Sequence, residues 1–250
     1  MREILRTPKS EHRTERGSSA EVSEIFSSLQ GEGPYLGVKQ VFVRFGRCNM
    51  HCHYCDELEK MKAERFRDLS LEDVLANIKF LSEKEGEPHS VSLTGGEPLF
   101  YARFLENLLP ALKERGFKTY LETNGTLPGE LERVIRYVDI IAMDLKPASS
   151  TGDRAYWKEH EVFLKVALRQ EVFVKVVVTP ETLGEDIERC IDLIKNIHPK
   201  IPFILQPQTE AFGISSKALS LIESHFFGQA QKNLADVRVI PQMHKIWGVR

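Results

Sequence analysis

The sequence predicts an α/β domain built as an open, partial (β/α) barrel of about six parallel strands. Two observations lead to this prediction. Short β-branched and apolar segments alternate with helical patterns along most of the chain, and several of these segments are nearly continuous apolar runs, typical of strands buried on both faces of a parallel sheet. Six or seven strands are too few for a closed eight-stranded barrel, and a doubly wound sheet is the alternative. Both architectures bind ligands at the carboxyl ends of their strands.

The predicted strands begin with the segment KQVFVR. Their bounds are Lys39–Arg44, Ser90–Thr94, Lys118–Glu122, Asp139–Asp144, Val172–Thr179, Pro202–Gln206 and Asp236–Ile240. Helical spacing of apolar residues follows Ser70, which can cap a helix with Asp73 at the capping-box position. Further helices are predicted at Leu105–Arg115, which ends at Gly116, and at Glu130–Val138, Glu185–Ile197 and Ser215–Phe227.

Length and composition suit one globular domain. The chain has 250 residues, of which 42% are hydrophobic and 28% charged. Residues 1–20 are charged, with few apolar side chains, and are predicted to form a flexible tail before a single domain at 21–250. The net charge of -2 disfavours nucleic acid as a partner. Apolar runs are too short to span a membrane and no secretory signal begins the sequence, so we expect a cytoplasmic protein.

Three of the four cysteines lie within eight residues and have the spacing C-x3-C-x2-C. They are Cys48, Cys52 and Cys55, in a loop just after a predicted strand. Three thiolates suit a [4Fe–4S] cluster that keeps one iron open to a substrate. The alternative is a zinc knuckle, for which His51 or His53 supplies the fourth ligand. Cys190 lies in a helical pattern and is predicted to be a buried apolar residue.

Other polar motifs stand at the ends of predicted strands. Thr94-Gly95-Gly96-Glu97-Pro98 has two glycines, which let the backbone approach a ligand, and Glu97 can accept a hydrogen bond from an ammonium group. Asp144-Leu145-Lys146 and Gln206–Thr209 offer further groups for a charged cofactor, and Glu122–Gly125 is a similar segment. Ordinary turns and solvated strand ends are the alternative interpretation of each motif.

Four motifs follow one another along the chain: S-L-Q-G-E-G at 28–33, F-V-R-F at 42–45, the cysteine loop, and T-G-G-E-P at 94–98. Their order resembles the 7-carboxy-7-deazaguanine synthase (QueE) family of radical S-adenosylmethionine (SAM) enzymes. The resemblance runs from about Glu21 to Arg250. It implies a barrel of the radical SAM type and ring contraction of 6-carboxy-5,6,7,8-tetrahydropterin to 7-carboxy-7-deazaguanine, in 7-deazapurine and queuosine biosynthesis. By resemblance a 5′-deoxyadenosyl radical removes a substrate hydrogen, the hydrogen later returns, and ammonia is lost.

The resemblance also implies roles for individual residues. Cys48, Cys52 and Cys55 would hold the [4Fe–4S] cluster. SAM would be bound by Tyr54, Cys55, Asp56, Gly95, Gly96, Glu97, Asp144, Leu145, Lys146, Gln206, Pro207, Gln208 and Thr209. The substrate would be bound by Leu29, Gln30, Gly31, Glu32, Arg44, Thr94, His244 and Arg250, with Arg44 on its carboxylate. The family usually has Asp-Thr after the third cysteine, where the Thr helps bind Mg²⁺. This sequence has Asp56-Glu57, so Glu57 is the candidate ligand.

The resemblance further implies a homodimer and an electron donor such as flavodoxin or ferredoxin. One rival hypothesis is another small radical SAM enzyme, such as a glycyl-radical activase, which shares the cysteine spacing and the G-G-E-P motif but acts on a protein partner. Arg44 and the S-L-Q-G-E-G segment disfavour it. The other rival is a non-enzymatic zinc or Fe–S binding module. The near-neutral charge and the lack of interleaved basic and aromatic residues disfavour an RNA-linked form of it.

Overall fold

The structure, a computed structural model, describes residues 17–55, 66–210 and 213–249. Its strands are β1 (Ser19–Leu29), β2 (Lys39–Phe45), β3 (Arg67–Ser70), β4 (Ser90–Gly95), β5 (Thr119–Thr123), β6 (Ile140–Leu145), β7 (Glu171–Val178), β8 (Phe203–Pro207), β9 (Thr209–Glu210), β10 (Gly213–Ile214) and β11 (Val237–Val239). Its helices are α1 (Leu71–Glu85), α2 (Ala102–Glu114), α3 (Pro128–Val134), α4 (Ala148–Thr151), α5 (Trp157–Ala167), α6 (Gly184–Ile197), α7 (Ser216–Leu221), α8 (Phe227–Gln231) and α9 (Met243–Trp247).

Nine of these strands form one open sheet in the order β11-β8-β7-β6-β5-β4-β2-β1-β3. Every neighbouring pair from β11 to β2 is parallel, whereas β1 is antiparallel to both β2 and β3. β9 and β10 form a separate hairpin. The α/β class and the mostly parallel sheet are therefore confirmed. The sheet has seven parallel strands, against the six or so that the sequence predicts.

The two faces of the parallel sheet carry different side chains. On β2, Val41, Val43 and Phe45 pack into the large core beneath the helices, while Gln40 and Arg44 lie on the opposite, inner face. Strand side chains alternate between faces, so the same division holds along the sheet. Part of the inner face is filled by a second apolar cluster, which consists of Tyr120, Ile140, Ala142, Phe173 and Ile204. Polar side chains occupy the inner face near the carboxyl ends of the strands.

The predicted capping box at the start of α1 is present. The Ser70 side chain accepts a hydrogen bond from the Asp73 backbone N–H at 3.2 Å, and the Asp73 carboxylate accepts one from the Ser70 N–H at 3.1 Å. These contacts satisfy amides that have no partner inside the helix. Val74 and Ile78 of α1 are fully buried, so the capped helix covers the outer face of the sheet.

β1 is the main element that the sequence reasoning missed. It has 11 residues, in which polar and charged side chains such as Glu21 and Glu24 interrupt any apolar run. Ser19 and Ala20 belong to β1, although they fall within the predicted tail 1–20, and residues 1–16 lie outside the described residues. α4, α5 and α9 were also not predicted. The predicted helix at 215–227 extends to Gln231, through a π-helical turn between α7 and α8.

None of the helices in the described parts of the chain is long and apolar enough to cross a membrane.

Candidate active site

One cavity opens on the inner face of the sheet, at the carboxyl ends of the parallel strands. It is lined by the cysteine loop, by the turn after β1, and by residues from β2 to β8 and α9. The predicted site residues that line it are Leu29, Gln30, Gly31, Glu32, Arg44, Cys48, Cys52, Tyr54, Cys55, Thr94, Gly95, Gly96, Asp144, Lys146, Gln206, Gln208, Thr209 and His244. Parallel strands place their carboxyl ends at the same edge, so residues far apart in sequence meet there.

All three clustered cysteines face this cavity and are half-buried. Burial raises the pKa of the Cys48 thiol to about 11, and burial likewise raises the pKa of Cys52. Metal binding to these sulfurs must therefore displace protons. Cys190 is fully buried in the core on α6, as predicted.

The cysteine loop supplies three thiolates for a metal centre. Among residues 17–55, 66–210 and 213–249, no three His, Cys, Asp or Glu side chains come close enough to share one metal ion. The ring of His53 instead packs on Gly152 so closely that a Cβ there would lie 2.1 Å from His53 Cε1. Iron–sulfur clusters are held by Cys thiolates, and this is the donor set that the loop presents to the cavity. The donor set therefore fits a [4Fe–4S] cluster.

Gly95 and Gly96 bring β4 into direct contact with the start of the cysteine loop. Gly95 has φ +118, and a Cβ at Gly96 would lie 2.1 Å from the carbonyl oxygen of Arg47. The Gly96 N–H donates to the carbonyl of Phe45 at 3.0 Å, and the Glu97 N–H donates to that of Arg47 at 2.7 Å. Only glycine fits this close approach, which fixes the cysteine loop against the sheet.

Glu97 lies behind the cavity wall, and its predicted contact with an ammonium group stays a prediction. Its side chain is fully buried and does not line the cavity. One carboxylate oxygen accepts from the Leu99 N–H and the Thr123 hydroxyl, and the other accepts from the Asn124 N–H. Burial raises the pKa of Glu97 to about 7, although these three donors favour the carboxylate. Glu97 therefore holds the turn after β5.

Two further predicted SAM contacts have side chains outside the cavity. Leu145 packs into the core beneath the helices, and Pro207, at the end of β8, is buried without lining the cavity. Each neighbours a residue whose side chain does face inward, because strand positions alternate. Asp56, Glu57 and Arg250 lie outside the described residues.

One side of the cavity offers a cradle for a cationic, hydroxylated cofactor. Asp144 contacts Lys146 at 2.7 Å, and the Lys146 ammonium donates to the Tyr54 hydroxyl at 3.1 Å. Three buried oxygens that line the cavity have no hydrogen-bond partner among the described residues: Asp144 Oδ1, Gln206 Oε1 and Thr209 Oγ1. A buried acceptor that makes no hydrogen bond lowers the stability of the protein. They fit the hydroxyl and amino groups that SAM carries.

The opposite side holds a buried hydrogen-bond network centred on Glu122. This carboxylate accepts from Gln30 Nε2 at 2.9 Å, from the Ser92 hydroxyl at 3.1 Å and from the Thr94 hydroxyl at 2.8 Å. Gln30 Nε2 also donates to Gln40 Oε1 at 2.9 Å, so both of its amide hydrogens are used within the protein. Gln30 therefore orients Glu122, which lines the cavity.

A buried charge pair joins the two sides. The Lys175 ammonium on β7 hydrogen-bonds Glu32 and lies 3.5 Å from Asp144, its in-register neighbour on β6. Gln242 donates to the other oxygen of Glu32 at 3.0 Å. Burial alone raises the pKa of Glu32, but the charges of Lys175 and His244 outweigh it and hold the pKa at about 2. Glu32 is therefore ionised at neutral pH.

α9 closes the cavity by resting on the turn after β1. The Met243 N–H donates to the carbonyl of Gly31 at 2.9 Å. A Cβ at Gly31 would lie 2.4 Å from His244 Nδ1 and 2.7 Å from the His244 backbone nitrogen. Gly31 is thus required for close packing of α9, which brings His244 to the cavity.

Arg44 extends from β2 into the same space, over an aromatic floor. Its guanidinium carbon lies 5.5 Å from the centre of the Phe26 ring, and Phe26 stacks on Phe42 with 5.1 Å between ring centres. A cation over an aromatic face is stabilised, and the planar fork of a guanidinium has the geometry that suits a carboxylate.

Several lining residues were given no individual ligand from the sequence, although Glu122, Thr123 and Asn124 belong to the strand-end segment noted there. They are Phe26, Phe42, Met50, Glu122, Thr123, Asn124, Lys175, Val177 and Gln242. A signal existed for two of them. Lys175 is the one charged side chain within the run VFVKVVV, and Glu122 ends the run TYLE, so each is a charged residue on a strand buried at both faces. Such a residue is expected to face a ligand or a counterion.

Fold and site together define a radical SAM domain: a mostly parallel α/β sheet, a three-cysteine loop after β2, and a polar cavity at the strand ends. Residues 42–150 match the model of the Radical SAM superfamily. A relative from Geobacter sulfurreducens, a 7-carboxy-7-deazaguanine synthase, is 40% identical over 92% of this chain and 97% of its own. The enzyme of that name from Methanothermobacter thermautotrophicus is 33% identical over 92% of this chain and 98% of its own.

The chain belongs to the 7-carboxy-7-deazaguanine synthase family. The same fold is seen in the crystal structure of QueE from Escherichia coli, with TM-score 0.63 and 22% identity over 95% of this chain and 100% of that one. The radical SAM family implies a [4Fe–4S] cluster and SAM as cofactors.

Proposed function

We propose that this chain converts 6-carboxy-5,6,7,8-tetrahydropterin to 7-carboxy-7-deazaguanine with loss of ammonia, in 7-deazapurine and queuosine biosynthesis. One observation carries the proposal. A single cavity joins three cysteines and a cradle of unpaired acceptors to a second half with Arg44, Glu122 and Glu32. The name shared by the curated relatives supports the same reaction.

In this proposal Cys48, Cys52 and Cys55 hold the cluster, and the remaining iron is left for SAM. When bound, the cluster and SAM would supply radical chemistry for hydrogen abstraction. Asp144 would accept from a ribose hydroxyl and Lys146 would pair with the SAM carboxylate, since both face the cavity at the end of β6. Gln206 and Thr209 would use the oxygens that have no partner in the described part of the chain, on the ribose or the adenine amino group.

The part of the cavity that contains Arg44, Glu122 and Glu32 would bind the carboxylate and the guanine-like edge of the substrate. Arg44 would pair with the substrate carboxylate through its planar fork. Glu122 and Glu32 present carboxylate oxygens to the ring N–H groups, and Thr94 and Gln30 orient Glu122. Leu29, Gly31 and His244 would complete the wall around the pterin. The low pKa of Glu32 keeps it an acceptor throughout the neutral range.

Further parts of the proposal concern a metal ion, an electron donor, the oligomeric state and the cellular compartment. Mg²⁺ would bind near Asp56-Glu57, where the carboxylate of Glu57 takes the place of a Thr hydroxyl. A low-potential electron donor such as flavodoxin or ferredoxin would reduce the cluster. The chain would act as a homodimer in the cytoplasm.

Anaerobic turnover of the reconstituted protein with SAM, a reductant and the tetrahydropterin tests the reaction. Mass analysis is expected to detect 7-carboxy-7-deazaguanine and ammonia in equal amounts. A protein with full iron and sulfide that gives no deazaguanine would contradict the assigned substrate.

Two substitutions test the division of the cavity. Cys52→Ala is expected to abolish the cluster and all SAM cleavage, whereas Cys190→Ala, the control in the core, keeps both.

Arg44→Ala is expected to keep the cluster and SAM affinity while weakening substrate binding by about 100-fold, the range of a lost charge-assisted pair. Isothermal titration under nitrogen measures both affinities, and unchanged substrate affinity would refute the role of Arg44.

A further inference from the structure

Three side chains next to Cys48 form a closed ring of hydrogen bonds. Asn124 Nδ2 donates to Asn49 Oδ1 at 2.9 Å, Asn49 Nδ2 donates to the Thr126 hydroxyl at 2.8 Å, and that hydroxyl donates to Asn124 Oδ1 at 2.6 Å. The ring ties the cysteine loop to the turn after β5. Asn124 and Thr126 are buried, at 6% and 5% exposure, so water does not compete strongly for these contacts.

The orientation of the Asn124 amide follows from its partners. The Thr126 backbone N–H donates to Asn124 Oδ1 at 3.1 Å, and a backbone N–H can only donate. The oxygen of the amide therefore faces Thr126, and the NH₂ group faces the cysteine loop. Asn124 Nδ2 lies 3.8 Å from Cys48 Sγ, to which the Met50 N–H also donates at 3.4 Å.

The backbone of Asn124 is held from two sides by buried groups. Its N–H donates to Glu97 at 2.8 Å, and its carbonyl accepts from His160 Nε2 at 3.1 Å. Glu97 and His160 are both fully buried. The donor that faces Cys48 is therefore fixed before any cluster binds, so its contact with the sulfur requires little further ordering.

We propose that Asn124 is a positioning residue for the cluster: its side-chain amide donates to the Cys48 thiolate and raises the reduction potential. The inference rests on the proposed ligation of the cluster by Cys48. Reduction of the cluster would place part of the added negative charge on the thiolates. A fixed N–H dipole stabilises the reduced form more than the oxidised form.

Asn124→Leu tests this role, with Thr126→Val as the matched control. The first change removes the donor to sulfur. The second breaks the same ring, yet it keeps Asn124 and the backbone N–H that orients its amide. The proteins are reconstituted anaerobically, assayed for iron and sulfide, and titrated with dithionite while EPR follows the reduced cluster. The potential of Asn124→Leu is expected to shift to more negative values, and that of Thr126→Val to stay near the unsubstituted protein.

Several results would overturn the inference. One is a fully loaded Asn124→Leu protein with an unshifted potential; another is an equal shift in Thr126→Val. If Asn124→Leu does not load its cluster, Asn124→Ser, too short to reach the sulfur, is titrated in its place and must show the negative shift. Loss of the cluster from both Asn124 variants would make Asn124 an assembly residue and reject the effect on potential. An unsubstituted protein without iron and sulfide would instead overturn the proposed function.

Discussion

Lys175 is the buried cation on which the charge balance of the cavity depends. It hydrogen-bonds Glu32 and lies near Asp144, which Lys146 also contacts. Burial alone lowers the pKa of Lys175, but the two carboxylates outweigh that effect and raise it. Four buried charges of alternating sign thus stabilise one another, and removal of one leaves an uncompensated partner.

Lys175→Met is expected to reduce the free energy of unfolding by roughly 3–5 kcal/mol, because the Glu32 carboxylate then stays buried without a counterion. Urea denaturation at pH 7 measures the loss. The double variant Lys175→Met/Glu32→Gln removes both charges and is expected to recover much of it. In the unsubstituted protein, the stability that comes from the low pKa of Glu32 is present above pH 4.5 and is lost as pH falls towards 2. A single variant as stable as the parent would contradict this account.

At the scale of elements, α9 depends on a glycine in another part of the chain. α9 has five residues, too few for a stable isolated helix, and it rests on the turn at Gly31 through a backbone hydrogen bond. This contact decides whether His244 faces the cavity. The packing of a short terminal helix therefore controls one wall of the proposed substrate site.

Gly31→Ala is expected to lower substrate affinity by about tenfold or more, since the new methyl group overlaps His244 and overpacking costs about 1–3 kcal/mol. SAM affinity is expected to change little, because the SAM side of the cavity is built by other elements. Gly184→Ala at the start of α6 is the control, as nothing lies within 4 Å of a Cβ there. Equal substrate affinity in the Gly31 and Gly184 variants would show that α9 does not shape the site.

At the scale of the whole molecule, a buried neutral histidine makes the fold sensitive to acid. His160 on α5 is fully buried, donates from Nε2 to the Asn124 carbonyl, and has no partner for Nδ1 among the described residues. Burial lowers its pKa to about 4. Between pH 4 and 6.5 the unfolded chain binds a proton that the native protein does not, so stability rises with pH across this window and is full above pH 6.5.

The contribution of His160 to stability is expected to fall by about 3 kcal/mol as the pH drops from 6.5 to 4. Chemical denaturation of the cluster-free protein at a series of pH values measures it. His160→Gln is expected to make the free energy of unfolding less dependent on pH between 4 and 6.5, whatever its effect on stability at pH 7. Parallel slopes for the two proteins would mean that His160 is not the group responsible.

The predictable parts of the fold are those with a local signal. The continuous apolar runs from β2 to β8 predicted the parallel sheet, and Ser70 with Asp73 predicted the start of α1. β1 was missed because it carries polar residues on a strand that pairs with β2 and β3, and pairing of this kind leaves no apolar run to detect. α9 was missed because it is short and depends on tertiary contacts.

The sequence by itself determined the chemistry and its place: three cysteines after the first parallel strand, and polar motifs at the strand ends. Only the tertiary structure decided which of those polar groups face the cavity. The Glu97 side chain does not line the cavity. Lys175 contacts Glu32, which is 143 residues away in the sequence, and Gln30 contacts Glu122, which is 92 residues away. A motif is a local property of the chain, but the direction in which a side chain points depends on the strands and loops that pack against it. Those neighbours come from distant parts of the chain, and only the folded sheet brings them together.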